Sequence, residues 1–415
     1  MNVWLIQIGE SLPIKDGVQK MRTAILADKL VKRGHDVLWW TSAFDHFKKD
    51  WIFKKNTELT VKKGLKIFAL KGTGYKKNVS LARYIDHRII ARKFKKLALK
   101  IPKPDIIITS MPPHDLAYEA VLFSKRSNIP VLVDIRDEWP DLFLSIVSQK
   151  YQKIVKLLLF KDFQMLKKVM FMADGLIAMM DSLLDWGLRY TERSRTSKDR
   201  VFYLGSIRNA TNNKPKAKLS FLQGIDHKFI VVFVGTFVKN NNPSILIDCA
   251  EMLLDKNIHF VMAGDGELFN RIRKKASGLS NISMPGWLNQ AEISSLLQNS
   301  HVGVCLTPQI RDAFPNKAFT YLSAGLPLIS AFQGNLKEII EKCHIGFYYP
   351  PNDLDALVNC IKRLYEDTAL HKKMSKNACR IFDEMFDADK IYEEYAEHIE
   401  RAVDNYKQDE VKKNG

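Results

Sequence analysis

Short apolar runs alternate with amphipathic stretches along the first half of the chain. Residues 3–8 are the kind of run that forms a central parallel strand. Residues 18–33 then place Met21, Ile25, Leu26 and Leu30 on one helical face, with Gly34 as its C-cap. Strands are predicted at 37–40 and 65–70, and a basic helix over 81–100 is closed by Pro102 and Pro104. A strand at 105–109, a helix at 114–127, a strand at 131–135, one long helix over 146–172 and a strand at 176–179 follow. This βαβ order implies a parallel sheet with helices on both faces.

The pattern breaks at 205–228, where Asn209, Asn212, Asn213, Lys214, Pro215, Lys216 and Lys218 are polar and turn-forming. The inter-domain linker is placed there. A second series then begins: a strand at 229–234 and a helix at 243–256, with Asn242 as N-cap and Pro243 at N1. Strands at 259–263, 282–284, 302–306 and 328–330 alternate with helices at 267–277, 291–299, 316–324, 335–342 and 353–366, before a helical tail at 370–408. The prediction is α/β, two Rossmann-like doubly wound domains facing a cleft, with ligands at the carboxyl ends of the strands.

Composition narrows the class. With 415 residues, 46% hydrophobic and 27% charged, the chain is an ordinary globular protein of two or three domains, neither disordered nor fibrous. The net charge of +18 is uneven. Residues 1–200 carry 38 of the 64 basic and 21 of the 46 acidic residues, or +17. That asymmetry suggests an anionic partner for the first half. No stretch of 18 apolar residues is present, which argues against a transmembrane helix, and the first residues show no secretory signal. Five cysteines, Cys249, Cys305, Cys343, Cys360 and Cys379, lie in the second half without metal-ligand spacing. Reduced thiols in a cytoplasmic protein and no metal site are expected.

Three segments of the second half end where a ligand is expected. Val234-Gly235-Thr236-Phe237-Val238-Lys239 is a strand end with a glycine and a lysine before a helix. It is either a phosphate cradle or a plain βα loop with a surface lysine. Ala263-Gly264-Asp265-Gly266 is a tight βα turn, structural or ligand-binding. In the third, a polar loop with Asp312 leads to Asn316 as the N-cap of a short helix carrying Lys317 and Thr320, which Gly325 ends.

In this order, with Met284-Pro285-Gly286-Trp287 between, and Asp312-Ala313-Phe314-Pro315-Asn316-Lys317 before Ala324-Gly325-Leu326-Pro327, the motifs resemble the donor half of retaining glycosyltransferases of family 4, of GT-B fold. Gly34-His35-Asp36-Val37 and Asp134-Ile135-Arg136-Asp137-Glu138-Trp139-Pro140 resemble the subgroup that builds bacterial surface polysaccharides. The resemblance implies an acceptor domain at 1–205, completed by a C-terminal helix at 391–408, and a donor domain at 206–390. It implies metal-independent transfer of a hexosyl or N-acetylhexosaminyl group, with retention, to a lipid-linked saccharide, as in O-antigen synthesis. A nucleotide-sugar, UDP-linked by analogy, is the co-substrate, and no cofactor is implied.

By the same resemblance Gly235 and Thr236 approach the distal phosphate and Lys239 neutralises the leaving diphosphate. Asp312 takes the place of a glutamate that binds sugar hydroxyls, Ala313 to Lys317 line the sugar and phosphates, and Met284 and Trp287 meet the base. Thr320 stands where the family has a second glutamate on the ribose. It loses a charge-assisted hydrogen bond, roughly 1 kcal/mol or more. That departure keeps a second reading open, a nucleotide-sugar protein that is an epimerase or an inactive subunit.

In the first domain, the acid-rich segment at 134–141 is either a solvated loop of local ion pairs or a cleft-facing cluster. Asp137 is assigned to the acceptor and as a catalytic group, Arg136 to an anion, and Arg22 to a phosphate. Gly17, in the loop after the first strand, and His114 are further cleft candidates. Arg83, Arg88, Arg92, Lys93, Lys95, Lys96 and Lys100 interleave with apolar residues over 81–100. Lys150, Lys153, Lys156, Lys161, Lys167 and Lys168 fall within an arc of roughly 140° if 147–168 is one helix. Such faces suit an anionic membrane surface, or they are solvated lysine faces over an ordinary core. The charge also permits a nucleic-acid binder, but no recognition motif supports one. The expected location is the inner face of the cell membrane, held peripherally.

Overall fold

Strands form where the apolar runs stand, and each half of the chain builds its own parallel sheet. The computed structural model describes residues 1–14, 20–208, 219–225, 227–241, 243–310 and 312–414. Contacts divide the chain into a first unit, Met1–Tyr203 with Tyr392–Gly415, and a second, Leu204–Ile391.

The strands of the first unit are β1 (Asn2–Ile6), β2 (Asp36–Ser42), β3 (Phe44–Asp45), β4 (Asp50–Trp51), β5 (Thr57–Lys62), β6 (Leu65–Leu70), β7 (Ile106–Met111), β8 (Val131–Ile135), β9 (Gly175–Ala178) and β10 (Arg200–Val201). Eight form one sheet, β10-β9-β8-β7-β1-β2-β6-β5, while β3 and β4 make a small antiparallel ribbon. Every pairing in the large sheet is parallel except β5 on β6. Strand order reverses at β1, between β2 and β7, which sets the ligand crevice of a doubly wound sheet at the carboxyl ends of β1 and β7. Helices α1 (Arg22–Lys32), α2 (Leu81–Leu97), α3 (His114–Ser127), α4 (Asp141–Ile146), α5 (Gln149–Leu158), α6 (Phe160–Met172) and α7 (Asp181–Leu188) complete the unit. The core is aromatic at its centre: Trp40 stacks on Phe68 at 4.7 Å and Trp4 on Phe123 at 5.2 Å.

The second unit contains β11 (Phe229–Val234), β12 (Ile258–Ala263), β13 (Ile282–Gly286), β14 (Val302–Cys305), β15 (Leu328–Ser330) and β16 (Gly346–Tyr348). These form an all-parallel sheet, β13-β12-β11-β14-β15-β16. Its helices are α8 (Ile245–Met252), α9 (Phe269–Ala276), α10 (Gln290–Gln298), α11 (Asn316–Ser323), α12 (Asn335–Cys343), α13 (Leu354–Glu366) and α14 (Thr368–Ile381). A π-helical turn, Phe382–Phe386, precedes α15 (Ala388–Asn414). From Tyr392 onward α15 belongs to the first unit. There Tyr395 stacks on Phe202 at 4.5 Å, and Glu400 pairs with Arg33 at 2.6 Å and His35 at 2.7 Å.

The doubly wound α/β class therefore stands, with four corrections to its elements. The long helix expected over 146–172 is two helices, α5 and α6, preceded by α4, because the backbone leaves helical geometry at Val147 and again at Leu159. The lysines at 150–168 thus share no single face. The helix expected at 243–256 is the shorter α8, started by Ser244, and Asn242 lies outside the described residues. Pro315, not Asn316, occupies the N-cap of α11, since its extended ψ of 139° places it outside the helix. The tail breaks at Phe382–Phe386 rather than running through. Part of the expected linker, 209–218 and Asp226, lies outside the described residues.

Candidate functional site

In the second unit strand order reverses at β11, between β12 and β14, so the crevice opens at the carboxyl ends of β11 and β14. Gly235 ends β11 and donates its N–H to Ala263 O at 3.0 Å, and Gly264 donates to Gly286 O at 2.8 Å. Gly264 has φ +136°, and a Cβ there would overlap the Gly235 carbonyl. The two turns thus pack backbone on backbone, which only glycine permits. Val234 N–H donates to the Tyr321 hydroxyl at 2.8 Å, fixing α11 to the same strand end. The Tyr321 ring in turn occupies the space a side chain at Gly303 would need.

Lys317, one residue into α11, lies beneath this junction. Its Nζ is 4.2 Å from the Phe233 ring centroid, and a Cβ on Gly235 would come within 2.7 Å of it. The ammonium is buried and has no hydrogen-bond partner among the described residues. Burial pulls its pKa below the usual lysine range. The neighbouring Cys305 supplies no counter-charge, because burial pushes that thiol up to about 12. A buried ammonium without a counter-ion either sheds its proton or costs several kcal/mol, so an anion bound beside it would stabilise the charged form.

The remaining donor-site residues stand on separate loops and strand ends of the same sheet edge. Lys239 and Thr236 are exposed, the lysine in a 3-10 turn, Lys239–Asn241. Met284 is half-buried in β13, and Trp287, just past it, is 73% exposed, a free indole face at the sheet edge. Asp312 is exposed and accepts from Asn335 N–H at 3.3 Å, with Gly334, at φ +65°, tucked against it. Ala313 is half-buried. Phe314 stacks on Phe319 at 4.4 Å and meets Phe386 at 5.2 Å, so its side chain holds the loop down and only its backbone faces a ligand role. Asn316 is exposed, and the Thr320 hydroxyl donates to Asn316 O at 3.3 Å, its own helix carbonyl.

In the first unit the carboxyl ends of β1, β7 and β8 meet in a buried ion network. Arg22 donates from Nε and Nη2 to the two Asp134 oxygens at 3.1 and 3.2 Å, and from Nη1 to Phe202 O at 2.7 Å. Arg136 donates to Asp134 at 2.7 Å and Glu10 at 2.9 Å, with Thr23 and Ser110 hydroxyls at 3.3 Å. Glu10 also accepts from Thr23 N–H and Oγ1, each at 2.9 Å. Burial opposes the Asp134 carboxylate, but Arg136 and Arg22 outweigh it and hold its pKa below the ordinary aspartate value.

This geometry corrects the assignments of Arg22 to a phosphate and of Arg136 to an anion, because both guanidiniums are already neutralised inside the protein. A buried arginine must be paired to be tolerated, and here the pairing is internal. The segment 134–141 is likewise no solvated loop. Asp134 is buried, and Asp141 accepts from Trp186 Nε1 at 3.0 Å and Tyr190 OH at 2.6 Å. Asp137 stays half-exposed, with Oδ1 accepting from Glu138 N–H at 2.9 Å. His114 is buried with Nε2 2.9 Å from Trp139 O, and burial lowers its pKa. Gly17 lies outside the described residues. Sequence reasoning assigns no role to Glu10, Thr23, Ser110 or Tyr321, whose partners lie outside their own local segments.

The two reversed-order sheets define the fold as that of GT-B glycosyltransferases. Solved structures of this fold cover nearly the whole chain. Anabaena Alr3699/HepE in complex with UDP aligns with TM-score 0.66 at 16% identity, covering 96% of this chain and 99% of that one. Sucrose-phosphate synthase from Thermosynechococcus elongatus gives 0.68 at 15%, covering 95% and 97%.

Residues 216–380 match the family model "Glycosyl transferases group 1". Among curated relatives, the O-antigen chain mannosyltransferase C of Escherichia coli is 32% identical over 168 residues. The UDP-Gal:alpha-D-GlcNAc-diphosphoundecaprenol alpha-1,3-galactosyltransferase of the same organism is 29% identical over 177. Each match spans 40% of this chain and 44% of the relative, so the chain aligns with less than half the length of either.

Proposed function

We propose that this protein is a glycosyltransferase that moves a sugar, with retention, from a nucleoside diphosphate donor to a lipid-linked saccharide. UDP is the favoured nucleotide, and the favoured setting is surface-polysaccharide assembly at the inner face of the cell membrane. The observation that carries this reading is the Lys317 ammonium, buried and without a hydrogen-bond partner among the described residues, beneath the Gly235–Gly264 junction at the switch point of the second unit. A donor diphosphate supplies the missing negative charge. Lys239, exposed on the adjoining turn, closes over it from the solvent side, and Asp312 selects the sugar hydroxyls. Developing charge on the leaving diphosphate then meets cations already in position, the usual source of such rate enhancement. Support from the comparisons lies in the relatives, whose names include an O-antigen mannosyltransferase and a galactosyltransferase acting on a diphosphoundecaprenol-linked sugar.

Thr320 favours a second reading, a nucleotide-sugar protein that does not transfer. Its hydroxyl bonds to its own helix, so the ribose contact is weaker than a glutamate would give. Thermal-shift screening of UDP-, GDP-, dTDP- and ADP-sugars, followed by transfer assays with the stabilising donor, decides between them. The transferase reading expects one donor family to stabilise the protein and turnover to fall at least 100-fold in Lys239→Ala. Stabilisation without transfer to any lipid-linked acceptor supports the second reading. Stabilisation by none of them removes both.

A further inference from the structure

A cavity of about 720 Å³ opens in the first unit between the start of α2, the start of α3 and the α5–α6 junction. Such a volume is typical of one small-molecule site. Its mouth is built from large apolar side chains that a soluble protein would normally cover: Val79 at 71% exposed, Leu81 at 74%, Leu157 at 75%, Leu158 at 77% and Phe160 at 56%. No residue of α5 is described as buried. An isolated ten-residue helix is marginal in water, and its stability normally comes from a packed apolar face. Here the described residues leave that face uncovered, and a contiguous apolar surface of this kind marks a binding site.

The floor is polar but internally balanced. The Tyr84 hydroxyl donates to both Asp162 oxygens, at 2.6 and 2.7 Å, and Arg88 reaches the Tyr84 hydroxyl at 3.1 Å and Asp115 at 3.4 Å. Asp115 is thus paired with a cation, and Asp162 is held by the neutral Tyr84 hydroxyl. Arg83 is different. Nη1 donates to Asn78 O at 2.9 Å, Nε to His87 at 3.4 Å, and the guanidinium lies over the Trp139 ring at 5.0 Å. It forms no salt bridge with a carboxylate among the described residues. Lys161, exposed, adds a second cation to the same lining. His87 brings no charge of its own, since burial and then Arg83 hold its pKa down to about 3.

An apolar mouth beside a lysine and an arginine that forms no salt bridge among the described residues fits an amphiphile with a long chain and an anionic head. We infer that this cavity binds the isoprenyl diphosphate part of the acceptor: the chain lies along α5 and Leu81, and the diphosphate meets Arg83 and Lys161. This rests on the lipid-linked acceptor proposed above and gives it a place within the first unit. A two-chain phospholipid is the competing occupant; the single-ligand volume and the paired cations favour one isoprenoid.

The test is isothermal titration of the full chain with farnesyl diphosphate, inorganic diphosphate, farnesol and UDP, and a flotation assay with phosphatidylglycerol vesicles. Farnesyl diphosphate is expected to bind at least tenfold more tightly than either inorganic diphosphate or farnesol. Leu158→Asp and Arg83→Gln should each weaken it at least tenfold with UDP binding unchanged. Leu157→Asp, at a position equally free of core contacts, repeats the test should Leu158→Asp lose its circular dichroism signal. Equal affinity for inorganic and farnesyl diphosphate, indifference to these substitutions, or binding of vesicles alone overturns the inference. UDP binding reads the donor side separately: retained UDP affinity with no farnesyl diphosphate binding fails only the cavity, and the reverse fails only the donor reading.

Discussion

Lys317 shows how a single residue can carry a functional argument. It packs where a purely structural position would favour methionine or leucine, yet it places a charge against a ring and under a glycine. Replacing an unpaired buried charge by an isosteric apolar group relieves a desolvation cost. Lys317→Met is therefore expected to leave thermal stability unchanged or raised, while UDP affinity falls at least tenfold. Calorimetry and titration check both, and a large loss of stability with intact UDP binding would reassign Lys317 to the core. Asp134 behaves in the opposite way. It neutralises two buried arginines, so Asp134→Ala should destabilise the first unit by about 3–5 kcal/mol, read by urea unfolding. His87 adds a pH dependence. Its pKa is about 3 in the fold against 6.5 when unfolded, so below pH 6.5 the unfolded chain takes up a proton that the fold refuses. Stability contributed by the neutral ring is complete above pH 6.5 and is lost as pH falls toward 3, at roughly 1.4 kcal/mol per pH unit. Between pH 6.5 and 5, His87→Gln should lose roughly 2 kcal/mol less than the parent.

At the scale of elements, the sequence was read well where one local signal decides. The apolar runs at 131–135, 229–234 and 328–330 became strands with those same limits, and the helix at 114–127 likewise. In each case a continuous apolar run bounded by turn residues has one stable outcome, a buried parallel strand. The sequence was misread where the outcome depends on distant contacts. Thr57–Lys62 alternates half-buried and exposed positions as an edge strand, and it pairs with β6 only because the turn at Lys63 and Gly64 brings them together. Helical periodicity persists from 146 to 172, but α6 buries Leu166, Val169 and Met170 whereas α5 buries nothing, so the chain breaks at Leu159 to let the two segments diverge. The same distinction divides the candidate sites. The tight turns at Gly235 and Gly264 are legible because turn chemistry is local. The burial of Lys317, and the Arg22–Asp134 pair across 112 residues, belong to the tertiary structure and leave no local trace. The roles of Arg22 and Arg136 were misjudged for that reason: a cation near a strand end looks the same in sequence whether its anion is a ligand or an internal aspartate.

For the whole molecule, charge is the property to explain. Of the net +18, the first 200 residues hold +17, and the nucleotide reading gives the second unit only two working lysines, Lys239 and Lys317. The excess has no part in the proposed donor site. No helix among the described residues is long and apolar enough to cross a membrane. The exposed apolar residues of α5, with Lys150, Lys153 and Lys156 between them, have the composition of an interfacial helix instead. Each lysine beside an anionic bilayer contributes about 1 kcal/mol, and the attraction is screened within about 8 Å at physiological salt. Flotation with phosphatidylglycerol vesicles should therefore recover the protein at low salt and release most of it as salt rises toward 0.5 M, while neutral vesicles retain little. Glutamate at Lys150, Lys153 and Lys156 together should weaken binding by at least tenfold at low salt without changing UDP affinity. The nucleic-acid alternative makes the opposite forecast: vesicle binding indifferent to that triple substitution, and retention of duplex or single-stranded DNA on a filter with a steep salt slope. A protein held by α5 has its lipid-facing helix beside the cavity at Leu157, Leu158 and Arg83, so the same triple substitution should raise KM for a membrane-embedded acceptor far more than for a detergent-soluble short-chain one.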